Sequence, residues 1–197
     1  MSKWLPLTIG WRFFRARQSN GVGVLIVVLS AMNGFEKELQ DRLLGVVSHG
    51  ELVGVNQPIA DWQDIAKSAS NMPQITGVAP FVRLQGLVQK PGGFQGLIVN
   101  GIDIKHESDV SSIADYMSVD AWHSLSSDEN HIVLGRSLLT KLGLKVGDTL
   151  AMYTPDANNS QLTSAKSHRF VVSGVFELGG EIESTQAYVS LDYLADL

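Results

Sequence analysis

No cysteine occurs in the chain. That excludes disulfide staples, thiolate metal sites and cysteine-nucleophile chemistry. Proline is scarce at six residues, and neither a glycine period nor a low-complexity tract is present, so collagen-like and generally disordered readings fail. None of the five histidines (His49, His106, His123, His131, His168) stands at a short metal-ligand spacing. A G-x-S-x-G nucleophile elbow is missing, as is a Walker A loop. Gly21-Val22-Gly23 lacks the strand–turn–helix context of a phosphate-binding fingerprint, and Gly143 to Asp148 reads as a turn. These gaps point to a chain that is not an enzyme and has no cofactor or metal. Excess positive charge is missing too: fifteen basic residues face twenty acidic ones, net −5, which argues against a general nucleic-acid binder. Long apolar runs are also absent. Gly21 to Met32 would span roughly 18 Å as a helix, against about 30 Å for a bilayer core.

What is present is the composition of a folded protein. The 197 residues are 44% hydrophobic and 18% charged, enough for one substantial core and a smaller satellite. The charge is unevenly spread. Residues 1–20 hold Lys3, Arg12, Arg15 and Arg17 with no acid, and the rest of the chain carries −9. A basic start joined to an acidic body fits a cytoplasmic membrane foot with a domain on the other side. In the opening segment Trp4, Leu7, Trp11 and Phe14 fall near one helical face and the arginines toward another. This suits the headgroup layer of a bilayer, or equally a terminal helix docked on its own domain.

From Gly21 the pattern predicts one helix near 22–44. Leu25, Val28, Leu29, Met32, Phe35, Leu39 and Leu43 form a stripe, and Lys37–Asp41 and Glu38–Arg42 are opposite charges four apart. By length the apolar start is a buried helix; by sequence it reads as the end of a membrane span. The body beyond residue 46 predicts a mixed α/β fold. Its expected elements are a strand at 46–55, a helix from Trp62 capped by Asp61 and stopped near Pro73, and a hairpin of 75–90 with 94–104. A short helix at 112–125 follows, then a strand at 132–134, a helix 136–142 ending near Gly143 and a strand at 149–153. A strand within 168–179, another at 187–189 and a helix opening at 190 or 191 complete the set. Residues 154–168 read as a projecting loop. The cluster Asp103, His106, Glu107 and Asp109 reads as a solvated loop in preference to a metal site, and His49 as a residue with a structural hydrogen bond.

The run Ser30-Ala-Met-Asn-Gly-Phe-Glu-Lys-Glu-Leu39 closely resembles the signature after the first transmembrane helix of the LolC/LolE family of bacterial lipoprotein-releasing ABC transporter permeases. Leu7-Thr-Ile-Gly-Trp-Arg-Phe13, VVSHGEL at 46–52, APFVRLQGLV at 79–88, HIVLGRSLLTKLGLKVGDTL at 131–150 and FVVSGVFELGGEIES at 170–184 resemble the same family. Within the pair, VVSHGEL, DAWHSL and VSGVFELGG are nearer the LolE branch. The resemblance implies a MacB-like periplasmic domain, with β-α-β units and a β-rich insertion, behind a long N-terminal helix. It implies an interfacial elbow at 1–20, a remnant of the first transmembrane helix at 21–45, and a periplasmic domain at 46–197 that is incomplete at its C-terminal end. The implied location is the cell inner membrane, with residues from about 33 onward in the periplasm.

The function so implied is release of outer-membrane lipoproteins from the inner membrane toward a periplasmic carrier (LolA-like), with a LolC-like partner permease and a LolD-like ATPase as separate subunits. Met32, Phe35 and Leu39 are the candidate lipid contacts, since flexible Met and flat Phe accept acyl chains without desolvating polar groups. Packing of the same stripe on neighbouring helices fits them equally. Two other functions stay open: a subunit of another MacB-like exporter, and a soluble periplasmic binding or interaction module.

Overall fold

The computed structural model describes residues 20–54, 59, 61–127, 129–155 and 165–197, in two compact units, 1–44 and 45–197. The expected elbow at 1–20 therefore lies almost wholly outside the described residues, as does the tip of the expected loop at 154–168. So do the side chains of Glu38, Leu39, Asp41 and Arg42, and with them both expected ion pairs.

The first unit is one helix in its described part. α1 runs Asn20–Val46, about 40 Å at 1.5 Å per residue, and contains the helix predicted for 22–44. Its start is rich in β-branched residues, poor helix formers, whereas the Phe35–Leu44 stretch is rich in strong ones. Val24 to Leu29 are consecutively exposed, so apolar surface runs round the whole circumference instead of along one face. Among the described residues, no helix is long and apolar enough to cross a membrane. The apolar run is short, and Glu36, Lys37 and Glu38 follow it closely. That finding corrects the expected inner-membrane location with its periplasmic boundary at 33.

The second unit is mixed α/β around a closed six-stranded barrel. After α2 (Trp62–Ser70), β1 (Phe81–Lys90) and β2 (Gly93–Ile102) form an antiparallel hairpin in unbroken register from Phe81↔Ile102 to Lys90↔Gly93. Gly92, at φ +82, takes the left-handed backbone its turn requires. β2 stops short of the expected residue 104 because the Asp103 carboxylate accepts from the Lys105 N–H at 3.0 Å and caps α3 (Ile104–Glu107). The single helix expected at 112–125 is two pieces, a 3₁₀ turn at Ile113–Tyr116 and α4 (Val119–Ser124). Met117 between them is extended and bridges to Phe176, and the Ser118 hydroxyl caps α4.

β3 (His131–Gly135), α5 (Arg136–Leu142), β4 (Thr149–Pro155) and β5 (Ala165–Phe176) follow, then α6 (Gly180–Thr185), β6 (Gln186–Ser190) and α7 (Leu191–Ala195). β6 lies parallel to β2 and antiparallel to β3, β3 parallel to β5, and β5 antiparallel to β4. Closure comes from β1 meeting β4 at Leu87↔Tyr153 and Val88↔Met152.

Strand alternation sorts the apolar residues into two cores. Ile132, Leu134, Ala187 and Val189 join Val88, Val99, Met152 and Phe170 in the main core, which α5 and α7 cover with Leu138, Leu142 and Leu194. Val133 and Tyr188, on the opposite faces of the same strands, join Val46, Ile102, Ile113 and Phe176 in a second core. The strand expected at 46–55 is absent, since residues 47–54 have no partner strand and form no regular element.

Candidate functional site

Beside the second core, a cavity of about 120 Å³ opens against the outer face of β1, β2 and β6. Register brings its polar wall together: Arg83 on β1 lies opposite Asn100 on β2, and Asn100 pairs with Tyr188 on β6. Arg83 donates to both oxygens of Glu51, at 2.8 and 3.3 Å. Its Nε donates to Asn100 Oδ1 at 3.2 Å, and Asn100 Nδ2 donates to Gln186 Oε1 at 3.1 Å. The guanidinium also lies 5.2 Å from the centre of the Phe81 ring, within cation–π reach. Every Arg83 nitrogen is thus engaged, and the buried amide of Asn100 is satisfied on both sides.

Gly45 and Val46 open the second unit, and Val46 forms another part of the rim. The Ser112 N–H donates to the Gly45 carbonyl at 2.9 Å and the Ser111 hydroxyl to the Val46 carbonyl at 3.0 Å. Two carbonyls left open by the helix end are therefore satisfied by the loop after α3. That loop follows Glu107, the last residue of α3, whose side chain lines the cavity. Burial, reinforced by the charge of Asp103, pushes the Glu107 carboxyl up to about 7. Burial also drives the Tyr188 hydroxyl well above its usual range, with Glu107 adding to the effect and Arg83 opposing it. Tyr188 is held from behind by an edge-to-face contact with Phe176, ring centres 5.3 Å apart.

The predicted residues are placed elsewhere. Met32 and Phe35 are both exposed on α1, at 60% and 66%, three residues apart and so on one side of the helix. The backbone of Leu39 continues α1. Within the expected loop cluster, Asp103 caps α3 and Glu107 ends it, His106 Nδ1 pairs with Asp103 Oδ2 at 2.7 Å, and Asp109 is exposed. Among the described residues, no three His, Asp or Glu side chains come together to hold a metal ion. His49 is exposed and outside any regular element. Sequence reading missed the cavity residues Glu51, Arg83, Asn100, Gln186 and Tyr188. The one available signal was a polar Asn100 inside the apolar strand Leu97–Ile102. The arrangement offers charged and hydrogen-bonding recognition.

Comparison with known proteins gives this geometry a family. Residues 20–197 match the model of the MacB-like periplasmic core domain. The chain is 32% identical to the lipoprotein-releasing system transmembrane protein LolE of Haemophilus influenzae, over 94% of this chain and 50% of that protein. It is 32% identical to LolC of Xylella fastidiosa strain 9a5c, over 95% of this chain and 50% of the relative. Against LolC of Neisseria meningitidis serogroup B the figures are 31%, 89% and 46%. The chain spans about half the length of the curated relatives it matches. A barrel-based mixed α/β body behind a long helix, matched over nearly its whole length, makes this chain a member of the MacB-like periplasmic core domain family, related to LolC and LolE.

Proposed function

We propose that the chain is a periplasmic binding and interaction module of a lipoprotein-releasing system, and that it takes the LolE role in preference to the LolC role. The observation that carries the lipoprotein-releasing reading is the 32% identity to LolE and to LolC relatives across 94% and 95% of the chain; the preference for LolE rests on the VVSHGEL, DAWHSL and VSGVFELGG stretches. The missing phosphate-binding motifs agree with an ATPase on a separate, LolD-like subunit, and the LolC-like subunit and LolA-like carrier are the partners that follow. Residues 46–197 form the partner-binding body on this reading. Met32, Phe35 and Leu39 contact acyl chains of the lipoprotein, for which the exposure of the first two supplies the apolar surface.

The test is replacement of the matching half of Haemophilus influenzae LolE by residues 20–197, and the same exchange in that organism's LolC. Lipoprotein release sustained by the LolE chimera and lost in the LolC chimera supports the proposal. Release by the LolC chimera alone overturns the LolE role, and failure of both, with each chimera present at normal level, overturns the lipoprotein-releasing role.

A further inference from the structure

The barrel of the second unit is open at one end of one seam. β1 and β4 are joined at Leu87↔Tyr153 and Val88↔Met152, and there the ladder stops. Both strands run on beyond it, β1 to Lys90 and β4 back to Thr149, yet the next opposed residues, Gln89 and Ala151, are not paired. A cavity of about 470 Å³ lies between the parted ends, with Leu144 and Leu150 in its wall. On its other edge β4 is paired with β5 from Thr149↔Val171 to Pro155↔Ala165. The Val172 N–H donates to the Asp148 carbonyl at 2.9 Å, and an antiparallel ladder repeats such bonds at every second residue. Leu150, Met152 and Thr154 therefore spend their backbone groups on β5, and Thr149, Ala151 and Tyr153 turn theirs toward β1. Tyr153 meets Leu87 there. Thr149 and Ala151 face the cavity, with no backbone partner on that side among the described residues. Lys90, on the same face of β1 as the buried Val88, is the one charged residue of the lining. No acid is paired to it among the described residues.

We infer that the open end of this seam is a docking site for an extended acidic peptide, added to β4 as an antiparallel strand in the place that β1 vacates. A row of unpaired backbone donors and acceptors selects an extended chain, because a helix spends its own backbone groups internally. The peptide bonds the backbone of Thr149 and Ala151. On its inner face, where alternate residues point, it sets an apolar side chain against Leu144 and Leu150 and a carboxylate beside Lys90. A basic segment would meet Lys90 with like charge. A second copy pairing through the same edge would bring its own lysine there, beside a Pro91 that has no N–H to donate. The inference is independent of the lipoprotein-releasing role.

The probe is the pentapeptide Thr-Val-Thr-Glu-Thr, acetylated and amidated at its ends, titrated into the full chain and followed by NMR. The expected result is saturable binding, with amide exchange at Thr149 and Ala151 slowed at least about tenfold in the complex. Binding should weaken at least about tenfold when the glutamate is replaced by lysine, and as much when the central threonine is N-methylated. Lys90→Glu should reverse the charge preference, so that the lysine peptide binds the more tightly. Ala151→Pro removes the edge donor and leaves the bonds to β5 in place, and should lose at least about tenfold in affinity with far-UV circular dichroism unchanged. Absence of saturable binding, unaltered exchange at Thr149 and Ala151 in the complex, or equal binding of the glutamate and lysine peptides overturns the site. Protection of the same two amides by self-association in the absence of peptide assigns the edge to a second copy and overturns it as well.

Discussion

A buried and a half-buried glutamate show how local geometry sets opposite chemistry on the same side chain. Glu183 accepts from the Ser137 N–H at 2.9 Å, the Ser137 hydroxyl at 2.5 Å and the Gly179 N–H at 2.5 Å. Burial alone would raise its pKa, but these hydrogen bonds outweigh burial and hold the carboxyl below its ordinary 4.5. Its stabilising effect is therefore present at neutral pH and lost as pH falls from about 4.5 through the lower folded value. Glu183→Gln should lower unfolding stability by about 1–3 kcal/mol at pH 7, and urea melts should show the gap shrinking toward pH 3. Glu107 has the reverse sign. It titrates at about 7 when folded against 4.5 when unfolded, so stability falls as pH rises across that window and stays lower above it. Glu107→Gln should accordingly be the more stable protein above pH 7, by about 1–2 kcal/mol after allowance for its partial exposure, and near parity at pH 4.5. Neither environment was legible in the sequence. The partners of Glu183 are Ser137, far upstream, and a glycine N–H whose availability depends on a turn.

At the scale of elements, the legible parts were those whose signals are local. Arg136–Leu142 ends at Gly143 with φ +69, the left-handed cap its glycine announced. The hairpin of β1 and β2 follows from Pro91-Gly92-Gly93. The 46–55 stretch was misread because its apolar residues suit a strand, yet a strand needs a neighbour and, among the described residues, 47–54 have none. Barrel closure was likewise hidden, since β1 and β4 are joined by two residue pairs across a long separation in the chain. That seam depends on a small residue: a Cβ on Gly86 would meet the Tyr153 carbonyl oxygen at 2.7 Å and the Met152 side chain at 2.9 Å. Gly86→Val should push β1 from β4 and cost about 2–3 kcal/mol. Hydrogen exchange should accelerate first at Leu87, Val88, Met152 and Tyr153, and unchanged protection there would mean that the seam does not limit local opening.

For the whole molecule, the family and the mixed α/β class were legible because the ten residues from Ser30 and the 131–150 stretch carry strong local wording, and the expected location was not. The apolar run of α1 is too short to cross a membrane, yet Val24 to Leu29, Met32 and Phe35 remain exposed. Exposed apolar surface of this extent marks an interaction site, and a lipid-modified protein is the occupant proposed for it. Photocrosslinking amino acids at positions 32 and 35 of the full chain, exposed to a purified acylated lipoprotein and to its unacylated form, test this most directly. The account predicts adducts with the acylated protein at both positions and none with the unacylated form. Adducts confined to neighbouring helices, with lipoprotein captured at neither position, would contradict it.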